Sequence, residues 1–268
     1  MMKKILFLLS FGVLAFTGKA QSEKAKYECM YRLTFQQDTT KQQCVDALMT
    51  LRVGENTSLF YAQANFETDS LIAKTSNYEE AQDVIKQIRD KYGRAYAKYY
   101  ILKDFKKQSL DYTESMVTNY IYTEELPSFD WHFAEEKKQI GNYECQKATC
   151  KYMGRSYEVW FTPDIPINDG PWKFHGLPGL ILEAYDTQHH YEFNFLGMNE
   201  CAGNIKLPAK EYSKTTKKKF ITIKQQSIDD PNSFIKGIET TLGIKSSSKI
   251  PKRKFYATME RKEAFPKN

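Results

Sequence analysis

Phe174-His175-Gly176-Leu177-Pro178-Gly179-Leu180-Ile181-Leu182-Glu183 places two glycines and a proline inside an apolar run that then continues as a strand. Glycine reaches backbone conformations closed to other residues, and proline fixes φ near −65°. The run therefore reads as a tight turn feeding a strand. Working outward, Tyr157, Val159 and Phe161 alternate with Glu158 and Trp160 on the upstream side. Thr162-Pro163-Asp164-Ile165-Pro166 halts that strand, because proline cannot donate to a ladder. Downstream, Leu180 to Tyr185 and Tyr191 to Leu196 form an antiparallel pair around a loop at Thr187–His190. The corner is thus set within a β-sheet.

The rest of the chain agrees. Tyr27 to Phe35, Cys44 to Val53 and Thr57 to Ala64 read as a β-meander, with Gly54-Glu55-Asn56 as a turn. Lys98 to Phe105, Ser109 to Tyr112, Thr118 to Glu125, Phe129 to Ala134 and Tyr143 to Tyr152 continue the strand signal. The 18 Tyr and 17 Phe suit half-buried pleated surfaces. One segment departs from the pattern. Ser76 or Asn77 caps a helix, Glu79 and Glu80 occupy capping-box positions, and Ala81, Val84, Ile85, Ile88 and Tyr92 follow helical spacing up to Gly93. Its apolar stripe is expected on the sheet. Thr215 to Gln226 fits either state. Asp230-Pro231 is a cap and first-turn pair for a short helix through Phe234, Ile238 and Leu242 to Gly243. The fold class is mainly β (α+β): a large curved antiparallel sheet or partial barrel with one or two packed helices.

Lys3-Lys4, an apolar run from Ile5 to Phe16, and Thr17-Gly18-Lys19-Ala20 form a signal peptide with cleavage expected after Ala20. The apolar run is shorter than the roughly 20 residues that span a bilayer. Cleavage removes three Lys and no acid, so 36 Lys and Arg face 33 Asp and Glu, a net charge of +3. That balance in an exported chain makes nucleic acid a poor partner. The expected organisation is a signal peptide over 1–20, a single β-rich domain over 21–244 and a basic, loosely ordered tail over 245–268. The product is expected in the periplasm or beyond, with no transmembrane segment after cleavage.

Gly176-Leu177-Pro178-Gly179-Leu180-Ile181 resembles the GLPGLI family of exported Bacteroidetes proteins, named for this hexapeptide. Gly141 to Thr149, Gly154 to Thr162, Ile165-Pro166 and Gly170 to Phe174 resemble the segments that precede it in the family. Cys150 departs from the pattern. The resemblance implies an exported β-rich protein without agreed catalytic residues, associated with TonB-dependent outer-membrane receptors and accessory to uptake.

Candidate sites follow. Trp160, Trp172, Phe174, His175, Gly176, Leu177, Pro178 and Gly179 form the candidate binding surface; the alternative is that the hexapeptide is a structural corner seating Leu177 and Leu180. Cys29 and Cys44 flank a polar turn and are candidates for a hairpin disulfide. Cys145 and Cys150 differ by an odd number and would point to opposite faces of one strand. His189-His190, with Asp186 or Glu192, is the only candidate for metal binding, and solvated histidines are the simpler account. No G-x-S-x-G, H-E-x-x-H or P-loop occurs. Cys145 as a nucleophile is less economical than Cys145 packed, and Asp164 with Asp169 suits turn capping better than acid–base work. The resulting expectation is a non-enzymatic, cofactor-free binding or accessory protein with an envelope protein or outer-membrane receptor as partner. The alternatives are a carrier of a lipid or other apolar small molecule and a metal-handling protein.

Overall fold

A computed structural model describes residues 22–36, 43–93, 97–116, 118–242 and 258–260. The expected signal peptide and residues 243–257 and 261–268 of the expected tail lie outside these residues. In chain order the elements are β1 (Glu23–Lys24), β2 (Tyr27–Gln36), β3 (Cys44–Val53), β4 (Thr57–Ala62), α1 (Gln63–Ile72), α2 (Tyr78–Tyr92), β5 (Tyr99–Asp104), β6 (Ser109–Ser115) and β7 (Asn119–Glu125). They continue with β8 (His132–Ile140), β9 (Tyr143–Tyr152), β10 (Arg155–Thr162), β11 (Leu180–Asp186), β12 (Tyr191–Glu200), β13 (Asn204–Ile205), β14 (Ser213–Lys214), α3 (Lys217–Asp229) and α4 (Pro231–Leu242).

Twelve strands form one sheet in the order β14-β7-β6-β5-β4-β3-β2-β12-β11-β10-β9-β8, and β1 pairs with β13 apart from it. Every pairing in the large sheet is antiparallel except β14 with β7. The sheet is two meanders joined at a β2–β12 seam that runs from Tyr27↔Glu200 to Phe35↔Tyr191, with a bulge between Phe195 and Gly197. Met153 (φ 46°) and Gly154 (φ 77°) supply the two positive φ values of a tight β9–β10 hairpin turn.

The sheet is strongly curved. Lys173 hydrogen-bonds Tyr122 and Glu124 of β7, while its neighbour Trp172 packs on Tyr152 of β9 and Tyr157 of β10. In a flat sheet β7 and β9, nine steps apart in the order, would be separated by roughly 43 Å at the usual strand spacing. Contact with adjacent residues requires the two ends to curl toward each other. The space they enclose is filled by the β10–β11 connection, residues 163–179, as a plug. Ile165, Trp172, Phe174 and Leu177 of the plug are buried among Tyr31, Leu33, Leu51, Phe60, Ile101 and other alternate residues of the strands. Gly179 makes this possible. It sits at φ +150°, and a Cβ there would lie 2.0 Å from the Thr162 carbonyl oxygen. The opposite face of β4 and β5 buries Leu59, Tyr61 and Tyr100 with Phe66 of α1 packed against them.

α2 forms as its capping residues dictate: the Asn77 side chain accepts from the Glu80 amide, the Glu80 carboxylate accepts from the Ser76 amide at 2.7 Å, and Gly93 ends the helix at φ 74°. Its expected seat on the sheet is corrected. α2 packs against α1, and α1 packs on β3 and β4. The third strand stops at Ala62 rather than Ala64, because Gln63 begins α1. Thr215–Gln226 resolves into α3, with Thr216 accepting from Lys219 as its cap, and Asp230 accepts from Ser233 at the start of α4. Four helices, rather than one or two, accompany the sheet among the described residues.

One further expectation, the hairpin disulfide, is corrected. Cys29 lies opposite Leu51 and Cys44 opposite Gln36, seven positions along the same ladder. That separation is roughly 23 Å, far beyond the ~7 Å a disulfide tolerates, and all five cysteines are free. Of the tail expected to be loosely ordered, residues 258–260 dock on the body: Arg155 Nε donates to the Thr258 carbonyl at 2.8 Å and the Tyr157 hydroxyl to the Met259 carbonyl at 3.0 Å. No helix among the described residues is long and apolar enough to cross a membrane.

Candidate binding groove at the plug corner

Tyr99, Ile101 and Lys103 share the inward parity of β5, so Lys103 enters the core with the apolar residues. Its ammonium is fully buried and is paired with Asp169 Oδ1 of the plug; it also donates to the carbonyls of Gly170 (3.1 Å) and Phe174 (3.4 Å). Three acceptors match three N–H donors, which is what makes a buried ammonium tolerable. Burial pushes the Lys103 pKa down, against the pull of Asp169. Asp169 Oδ1 also accepts from the Gly170 amide at 2.8 Å, the turn-capping role expected for it. Asp164 is exposed and forms no pair with it. Asp169 Oδ2 is buried and has no hydrogen-bond partner among the described residues.

Beside this pin the chain turns the corner at His175-Gly176. The His175 ring stands edge-on to Phe105 and Phe129, with centroids 5.8 and 5.6 Å away. Its Nε2 lies 2.8 Å from the Pro127 carbonyl. A carbonyl only accepts, so Nε2 carries the proton and Nδ1 is left as an acceptor. Burial, reinforced by the Lys103 charge, pushes the His175 pKa down to about 4. The imidazole is therefore neutral at physiological pH. Trp131 Nε1 donates to the His175 carbonyl at 2.9 Å, and the Gly176 amide donates to Asn168 Oδ1 at 2.6 Å.

An open groove of about 440 Å³ runs along this corner, bounded by Glu55, Phe105, Gln108, Asn168, His175 and Gly176, with Asp169 at its base. Two of its residues have left-handed backbones, Gln108 at φ 54° and Gly176 at φ 95°. In a non-glycine residue such as Gln108 that conformation persists where the surrounding structure enforces it, whereas Gly176 adopts it freely.

The eight candidate surface residues divide. His175 and Gly176 line the groove. Trp172, Phe174 and Leu177 are buried in the plug and do not line an exposed groove beside the corner. Gly179 is buried against Thr162, and Pro178 is exposed. Trp160 lies elsewhere, with the Lys138 ammonium 4.4 Å from its ring centroid and its Nε1 3.5 Å from the Tyr185 hydroxyl. The hexapeptide is thus chiefly a corner that seats Leu177 and Leu180, with only its leading edge in the groove. Lys103, Phe105 and Gln108 were not among the sequence candidates. A lysine on the buried parity of an apolar strand was the available signal for the first of them.

The other candidates are dispersed. His132 is near Asp130 at 3.5 Å, His189 meets Glu192 at 2.8 Å, and His190 lies 3.1 Å from the Arg155 guanidinium. Among the described residues no group of three or more His, Cys, Asp or Glu converges in a metal-holding arrangement. Burial pushes the Cys145 thiol up to about 11 and Cys150 up to about 12. Neither is a thiolate near neutral pH, so neither is poised as a nucleophile.

A family model described as a protein of unknown function (Porph_ging) matches residues 152–183, the span from the end of β9 through the plug into β11. No curated protein matches the chain. Two crystal structures of PNGF-II, in P21 and C2 space groups, share the fold at a TM-score of 0.51 with 12% and 13% identity. The match covers 76% of this chain but 34% and 33% of theirs, so this chain spans about a third of the length of PNGF-II.

Proposed function

We propose that this chain is an exported binding or accessory protein of the cell envelope, and that it presents the groove beside Gly176 to an outer-membrane receptor system or its cargo. One observation carries the reading. Lys103, Asp169, Gly170 and Phe174 are locked together in the core, and the lock holds His175 and Gly176 at the wall of a 440 Å³ groove. That volume is in the range of ligand sites. A rigid wall lowers the ordering cost of binding. The groove is rich in acceptors, with the Glu55 carboxylate and a neutral imidazole, so it favours an occupant that brings hydrogen-bond donors. The signal-peptide pattern and the resemblance to exported GLPGLI proteins support the location and the accessory role.

A lipid carrier needs a deep cavity. Among the described residues the plug occupies the inner face of the sheet, and a cavity between β2, β5, β6 and α3 holds about 70 Å³. Small-molecule pockets are several-fold larger, so the groove reading is preferred.

The test is affinity purification of the tagged full-length protein from its native envelope, beside a Glu55→Arg/Gln108→Arg variant. Glu55 pairs only at the surface, with Lys26 at 3.2 Å, so the change spares the core. The wild type is expected to recover an outer-membrane receptor or its cargo, and the variant at least tenfold less. A wild type that returns alone in repeated experiments overturns the proposal.

A further inference from the structure

A second built site lies on the opposite flank of the plug, and the chain occupies it with its own tail. Five groups of the body converge on residues 258–260. Arg155 Nε and the Tyr157 hydroxyl receive the carbonyls of Thr258 and Met259. Lys173 Nζ and Lys217 Nζ hold Glu260 Oε1 at 2.8 and 2.9 Å, and the Tyr152 hydroxyl is 3.3 Å from the same oxygen. These donors are set in the fold: Arg155 and Tyr157 on β10, Tyr152 at the end of β9, Lys173 in the plug and Lys217 at the start of α3. The Lys173 side chain is fully buried and that of Arg155 is 3% exposed.

The charge balance shows what the site demands. Glu124 carries one negative charge against Lys173 and Lys217, at 2.5 and 2.7 Å. Glu260 supplies the second. Without it one cation faces no counter-charge in a buried setting, which is costly. The donors for the two carbonyls would also lose their acceptors. The site thus selects two successive backbone carbonyls on a bent segment, followed by a carboxylate.

The apolar part is less complete. Met259 lines a partly open pocket of about 70 Å³ together with Trp172, Phe220, Leu33, Tyr99 and Tyr112. The pocket leaves room for a bulkier side chain than methionine.

We propose that this is a peptide-docking site, held in the isolated chain by residues 258–260 and open by exchange to a segment of a partner protein that takes the same bend and in which a bulky apolar residue is followed directly by Asp or Glu. Main-chain carbonyls fix the register, the carboxylate fixes the charge, and the pocket favours an aromatic or branched residue. The inference does not use the groove at Gly176, and either can fail alone.

The test uses the full chain carrying Glu260→Arg, which repels its own tail from Lys173 and Lys217. A labelled peptide of residues 254–263 is titrated and followed by fluorescence anisotropy. Folded Glu260→Arg protein is expected to bind it at least tenfold more tightly than wild type, whose site is filled. The same peptide with Met259→Phe should bind more tightly still, and one with Glu260→Ala should not bind. Folded Glu260→Arg protein that ignores the peptide, or binds the alanine version equally well, overturns the proposal. Should this variant not fold, deuterium exchange of the wild type decides. Exchange at 258–260 at least tenfold faster than in β9 and β10 supports exchange of the tail; exchange as slow as the strands overturns it.

Discussion

His175 is neutral because the fold makes it so, and that has a measurable consequence. Its folded pKa is about 4, against an ordinary value of 6.5, with burial the main cause and the Lys103 charge the second. The unfolded chain therefore binds a proton between pH 6.5 and 4 that the folded chain refuses. Stability contributed by the neutral ring is complete above pH 6.5 and is lost as pH falls, by at most about 3 kcal/mol at pH 4. His175→Gln keeps a donor for the Pro127 carbonyl but does not titrate. Urea unfolding at intervals from pH 7 to 4.5 is expected to show a falling stability in wild type and a much flatter profile in the variant; parallel profiles would refute the assignment. Ordinary carboxylates, at about 3.9 for Asp and about 4.3 for Glu, begin to titrate at the acid end of this window and do so alike in wild type and variant. Glu158, held down chiefly by Lys147, and Glu260, lowered by Lys173 and Lys217 in spite of its burial, add their own losses at more acid pH. At this scale the sequence is partly legible. The parity of Tyr99, Ile101 and Lys103 marks a charge in the core, but nothing local says that its partner is Asp169, 66 positions away.

Among the elements, the plug depends on one backbone position. Gly179 occupies a φ of +150°, and any Cβ would meet the Thr162 carbonyl carbon at 2.5 Å and the Pro163 nitrogen at 2.9 Å as well as the oxygen. These are backbone atoms that a rotamer change cannot move. Gly179→Ala combines strain with a clash and is expected to cost at least about 3 kcal/mol. For a domain of this size that is a fall of roughly 6–12 °C in the thermal midpoint. Pro178→Ala, one residue away but exposed, should shift it little. A calorimetric scan of both variants checks the contrast, and equal midpoints would show that the corner tolerates a side chain. The glycine–proline pattern made this element legible in advance, as Asn77, Glu80 and Gly93 did for α2. α1 was not legible for a physical reason: Ala62 at its N-cap makes no side-chain cap, its first turn has no acid, and it buries only Ala64. It is held by packing between β3, β4 and α2, which no local pattern encodes. The hairpins follow from turn residues and alternation, whereas the β2–β12 seam joins strands more than 150 residues apart and had no local signal.

For the whole molecule, the question is what holds two meanders around one plug. Apolar burial favours collapse without direction; the buried ion pairs supply register. Lys103 on β5 ties the first meander to Asp169, Gly170 and Phe174, and Lys173 ties the same segment to Glu124 on β7. Because β5 and the plug are far apart in sequence, the Lys103–Asp169 pair reports whether the curl has closed. Lys103→Met removes a charge of similar length and leaves the Asp169 carboxylate buried and unpaired, an expected loss of about 3–5 kcal/mol at pH 7. The pH dependence then reverses sign relative to the histidine effect. A carboxylate stranded in the core has a raised pKa, so the folded variant binds a proton that the unfolded chain releases, and its stability falls as pH rises. Adding Asp169→Asn removes the stranded charge while keeping Oδ1 for the Gly170 amide, and should restore a large part of the loss. Urea unfolding followed through the three tryptophans, two of them at the plug, closes this double-mutant cycle. Additive losses, or a loss in the single variant relative to wild type that does not grow as pH rises, would mean that the pair does not couple the halves and that apolar packing alone closes the sheet on its plug.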